Sequence, residues 1–115
     1  MHRKWKLRIR HILEAIKRVR SYTQDMELDA FHKDTKTQEA VVRNFQVIGE
    51  AVWLVPEEIR AAHTEIPWRL MRGMRNVLVH EYDRVDLDIL WDTIQISLPP
   101  LVPLLERIYR EEPGE

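Results

Sequence analysis

Apolar side chains recur at three- and four-residue steps along almost the whole chain, and that spacing leaves little room for anything but helices. Ile9, Ile12, Leu13, Ile16 and Val19 make one stripe, and Val41, Phe45, Ile48, Val52 and Val55 a second. Leu70, Met71, Met74, Val77 and Leu78 make a third, and Leu87, Leu90, Trp91, Ile94 and Leu98 a fourth. Alternating β-branched runs are scarce and there are only 3 glycines, which argues against sheets.

Capping residues and prolines punctuate these stripes. Asp34 offers an N-cap for the second helix and Asp86 one for the fourth. Pro56 ends the second, and Glu57 to Arg60 suffice for a single extra turn. Pro67 suits the first position of the third helix, which runs on to His80. Residues 21–33 lose the periodicity and read as a connection. Pro99, Pro100 and Pro103 are expected to break or kink the last helix, although Val102, Leu105, Ile108 and Tyr109 carry its pattern onward. The expected fold is all-α, an up-and-down bundle of four to five helices.

A chain of 115 residues is expected to form one domain, 1–115, with a basic lead over 1–6 and an acidic tail over 111–115. At this length roughly two-thirds of the unfolded surface can be buried without covalent staples. The chain has no cysteine, so disulfides and thiolate chemistry are excluded, which fits a reducing compartment. No apolar run is long enough to span a membrane, and no apolar signal region follows the basic start. The cytoplasm is the expected location.

Eighteen basic and nineteen acidic residues leave a net charge of −1, so the molecule as a whole carries no positive field for nucleic acid. Any such binding must use a local patch. The face of the first helix with Arg8, Arg10, Lys17, Arg18 and Arg20 is either simply solvated or such a patch. The histidines His2, His11, His32, His63 and His80 are scattered, and there is no glycine-rich phosphate loop. No metal site and no cofactor are expected.

Chemistry concentrates in Arg75-Asn76-Val77-Leu78-Val79-His80-Glu81-Tyr82, where polar residues interrupt an apolar run. A permanent cation, a group titrating near neutrality and a phenol form a phosphate-handling set. On a straight helix Arg75 and His80 stand about 140° apart, so one face cannot hold both. Either the helix ends there, with His80 and Tyr82 projecting from an irregular segment, or two chains build the site together. Gly49, on an apolar stripe, is expected to admit a neighbouring helix at close range. Glu50 beside it is either solvated or a partner of the motif. Trp53, Trp68 and Trp91 read as core or dimer interface, with base stacking as the other option.

The octapeptide resembles the R-x4-H-x-Y signature of the HepT-like ribonuclease toxins, a branch of the HEPN superfamily. Other stretches agree in order and spacing: His11 to Ile16, Ile48 to Ala51, Ile66 to Trp68 with Gly73 to Asn76, and Val85 to Trp91 with Leu98-Pro99. The resemblance covers residues 7 to 109. It implies an all-α homodimer in which paired motifs line one cleft and cut RNA without metal, through attack of the 2′-hydroxyl. Arg75 and His80 would be catalytic, with Asn76 in support. It further implies that Tyr82 accepts AMP from a nucleotidyltransferase antitoxin, which silences the toxin. Asp83 stands where many relatives carry an apolar aromatic and places an extra carboxylate beside the expected phosphate cleft, and Glu81 adds another. The alternative is a helical interaction module that binds a nucleotidyltransferase or a nucleotide without cutting RNA.

Overall fold

The computed structural model describes the backbone over residues 3–80 and 86–111 and the side chains over 4–75 and 86–111. Among the described residues all regular structure is helical. Four long rods run through it: α1 (Arg3–Thr23), α3 (Thr35–Trp53), α5 (Trp68–His80), and a continuous rod built from α6 (Leu87–Asp92), a π-helical turn (Thr93–Ser97) and α7 (Leu98–Glu111). Two short helices, α2 (Leu28–His32) and α4 (Glu57–Ala62), join them. The expected all-α class is what the chain adopts.

The four stripes explain the packing. In α1 the buried residues are Trp5, Ile9, Ile12, Ala15, Ile16 and Val19, spaced so that one face meets α3 and α7. In α3 Val41, Phe45, Ile48 and Val52 are buried, with Val55 just beyond the helix. Each such side chain contributes about 1.5–3 kcal/mol of hydrophobic stabilisation. α3 lies between α1 and α5, which are its two most extensive neighbours, so the second stripe forms the middle of the core. Asp34 caps α3 by accepting the Thr37 N–H at 3.0 Å, and Asp86 caps α6 by accepting those of Asp88 and Ile89, both at 3.1 Å.

Residues 21–33 are not the plain connection that their lost periodicity suggests. α1 runs on to Thr23, whose hydroxyl donates back to the Val19 carbonyl at 3.0 Å. Asp25 then takes a left-handed conformation (φ 63°), which turns the chain sharply into α2. Five residues are too few to show a helical period, yet α2 seats Phe31 fully in the core, 5.3 Å from the Trp91 ring. His32 Nε2 meets Asp88 Oδ1 at 2.8 Å and ties α2 to α6.

Of the two expected effects of the prolines, a break does not occur. The last rod passes through Pro99, Pro100 and Pro103 without ending. A proline ring clashes with the carbonyl four residues back. For Pro99 and Pro100 those carbonyls belong to Gln95 and Ile96, inside the π turn, where the Leu98 N–H bonds to the Thr93 carbonyl five residues back. The wide turn absorbs the conflict. α5 begins at Trp68, one residue later than expected, and Pro67 offers its carbonyl to the Met71 N–H at 3.1 Å. Trp68 is buried and donates from Nε1 to the carbonyls of Arg60 and His63, at 3.1 and 3.0 Å.

Candidate active site

The site grows from the contact between α3 and α5. A Cβ added to Gly49 would stand 2.6 Å from Arg75 Cβ and 2.9 Å from the Arg75 nitrogen. Only glycine lets α5 come this close, so Gly49 has the packing role its sequence position suggested, and that role sets where Arg75 sits. One residue on, Glu50 Oε2 lies 3.8 Å from Arg75 Nε. Both sequence readings of Glu50 meet in the structure: it faces solvent and it pairs with the motif's arginine. The separation is an ion pair rather than a hydrogen bond, and both side chains are well exposed, 46% for Arg75 and 62% for Glu50. Such a pair is worth at most about 1 kcal/mol.

A turn further along, Arg72 lays its guanidinium over the Trp53 ring, 3.6 Å from the centroid. Residue number rises along α3 as it falls along α5, so the helices are antiparallel. Trp53 is 56% exposed. Of the two places expected for these rings, core or dimer interface, the core holds Trp68 fully and Trp91 in part, while Trp53 lies outside it. Sequence reasoning missed Arg72 altogether. The signal was available in principle: once Gly49 is set against Arg75 in an antiparallel pair, position 53 falls opposite position 72.

α5 continues through His80. His80 thus lies in the helix rather than in an irregular segment, and positions 75 and 80 lie about 140° apart around it. Asn76 and His80 are described in their backbone only. Tyr82, Glu81 and Asp83 lie outside the described residues.

The basic residues of α1 sit apart from this site. α3 separates α1 from α5, and Glu14 pairs with Arg10 at 3.9 Å and with Arg18 at 4.0 Å. A cleft of about 720 Å³ lies between the end of α1 and the π-helical rod. It mixes Lys17 and Arg20 with Glu14, Asp25 and Glu106, and its described lining does not include Arg75. A smaller apolar hollow of about 300 Å³ borders α5 and α6, lined by Phe45, Leu70, Gly73, Met74 and Ile89 among others. Leu70, expected in the core stripe, is instead exposed, as is Ile89. Among the described residues no three His, Asp or Glu side chains gather as metal ligands would, and no helix is long and apolar enough to cross a membrane.

The family model for "Ribonuclease HepT-like" matches residues 12–108. A candidate RNase of Methanocaldococcus jannaschii is 38% identical over 104 residues, covering 90% of this chain and 86% of the relative. A candidate ribonuclease HepT of Thermococcus cleftensis is 38% identical over 108 residues, 94% of this chain and 98% of the relative. A candidate RNase of Caldanaerobacter subterraneus is 35% identical over 104 residues, 90% of this chain and 93% of the relative. No solved structure gives a significant match. With the motif, the helical fold and these relatives in agreement, the chain belongs to the HepT-like ribonuclease family.

Proposed function

We propose that this protein is a metal-independent endoribonuclease, the toxin of a toxin–antitoxin pair, and that it works as a homodimer. The observation that carries the reading is the placement of Arg75: fixed by Gly49, exposed, and held by an ion pair that a phosphate can replace. A 2′-oxygen attacks the adjacent phosphorus as its proton passes to a base. The bond from phosphorus to the 5′-oxygen breaks, and that oxygen takes a proton from an acid. The products are a 2′,3′-cyclic phosphate and a 5′-hydroxyl. His80 has the side chain for either proton transfer, and two copies in one cleft divide the roles. Arg75 stabilises the charge that grows on the phosphoryl oxygens. Asn76 supports this set.

The dimer answers the geometry of α5. Positions 75 and 80 are on different faces of one helix, and a second chain supplies what one face lacks. The apolar hollow with exposed Leu70 and Ile89 gives the seam a place beside the motif. An added methyl at Gly73 meets nothing within 4 Å, so a partner helix has room there.

Control falls to Tyr82, the motif position that accepts AMP in the family this chain resembles. AMP there adds bulk and negative charge at the mouth of a phosphate site, which repels RNA. The test is incubation with the cognate nucleotidyltransferase, ATP and magnesium. The mass should rise by one or more AMP units as cleavage is lost, and Tyr82→Phe should stay unmodified and active. Modification of Tyr82→Phe would place the acceptor elsewhere. A protein that is harmless and cleaves nothing even when unmodified would be the interaction module instead.

A further inference from the structure

We propose that Trp53 and Arg72 form a base-stacking subsite, in which a nucleotide next to the scissile phosphate of a single-stranded RNA is held. The proposal rests on the reading of Arg75 as the phosphate-binding residue.

The two pairs Glu50–Arg75 and Trp53–Arg72 are successive rungs of one ladder between α3 and α5. Three residues separate the rungs on each helix, about 4.5 Å of rise. A nucleotide whose phosphate sits on Arg75 therefore has its base or that of its neighbour within reach of Trp53. The indole is more than half exposed although large and apolar, and it fills no gap in the core. Arg72 covers part of it at stacking distance, which fixes the ring at little entropic cost to an incoming base. Both members of the pair can stack: every base has a π-face for the indole, and a guanidinium plane also stacks while its N–H groups reach phosphate.

Charge selects the occupant. Arg72 and Arg75 form a short basic row on α5, about 60° apart around the helix, and Glu50 meets Arg75 from α3. A polyanion neutralises this row. A second copy laid on the same face by a two-fold axis would set arginines against arginines. RNA is the better fit. The subsite also supplies what the net charge of −1 cannot, a local patch that combines cations with a stacking surface.

The experiment measures binding of a fluorescein-labelled, mixed-sequence single-stranded RNA, protected from cleavage by 2′-O-methyl groups, by fluorescence anisotropy. Trp53→Ala should bind about tenfold more weakly than wild type, the scale of one lost stacking contact. Trp53→Phe should recover most of the affinity. Against an abasic backbone of the same length, Trp53→Ala and wild type should bind alike, a result a merely structural role of the ring would not give. Equal binding of base-bearing RNA by wild type and Trp53→Ala overturns the subsite while leaving the cleavage reading intact. A shift of Trp53→Ala from dimer to monomer with unchanged affinity per chain overturns it in favour of a second copy. A wild-type protein that neither binds nor cuts unprotected RNA overturns both readings.

Discussion

A methyl group on Gly49 would stand 2.6 Å from Arg75 Cβ, closer than carbon atoms approach without displacement. Because the Arg75 backbone nitrogen is also only 2.9 Å away, no rotamer change relieves the clash and α5 itself must move. Gly49→Ala gains up to about 1 kcal/mol of helix propensity but incurs overpacking of about 1–3 kcal/mol. The expected outcome is net destabilisation in urea unfolding, together with weakened cleavage as Arg75 shifts. Gly73→Ala is the control within one chain, since its methyl meets nothing within 4 Å among the described residues, and should not destabilise the fold of a single chain.

Phe31 tests whether α2 is a structural element or only a connection. It is fully buried and packs on Trp91. Phe31→Ala should cost about 3–5 kcal/mol of stability, read from the denaturant midpoint. A cost like that of a surface substitution would return residues 21–33 to the status of a loop.

Asp34 makes stability depend on pH. Hydrogen bonds from the Thr37 backbone N–H, and then from the Thr37 hydroxyl, hold its carboxyl below the ordinary value of 3.8. A carboxylate lowered in the folded state stabilises above its unfolded pKa, and that contribution disappears as pH falls through the folded value. Wild type should therefore exceed Asp34→Ala in thermal midpoint at neutral pH, and the gap should close in strong acid. A gap that is constant with pH would assign the effect to something other than the charged cap.

The proposed dimer seam predicts that Leu70→Glu gives a folded monomer without nuclease activity. Leu70 is exposed within one chain, so the charge does not enter the core. Light scattering at micromolar concentration, paired with circular dichroism, separates loss of pairing from loss of fold. A wild-type monomer would remove the two-chain site.

What the sequence revealed follows physical range. Caps at Asp34 and Asp86 and the long stripes are local, and they were legible because a few adjacent residues decide them. Gly49 was legible because a glycine on an apolar helical stripe costs stability unless a neighbouring helix needs the room. α2 was hidden because one buried Phe31 shows no period. The passage of the last rod through Pro99 and Pro100 was hidden because it depends on where the Thr93–Ser97 turn absorbs them. Which of its alternatives Trp53 follows was hidden for a subtler reason: it borders the stripe of α3, and only the register against α5 shows that it faces Arg72 and solvent rather than the core. The pairing of Arg75 with Glu50 is likewise a matter of register, which no local stretch of sequence encodes.

The central claim is that Arg75 and His80 perform metal-free RNA cleavage, and product analysis tests it most directly. Purified protein is incubated with single-stranded RNA in excess EDTA, and the new ends are identified by mass. The account predicts 2′,3′-cyclic phosphate and 5′-hydroxyl ends, none with His80→Ala, and a rate reduced about a hundredfold or more with Arg75→Ala, the scale of one lost preorganised donor. Cleavage that stops in EDTA, or that survives both substitutions, would contradict it.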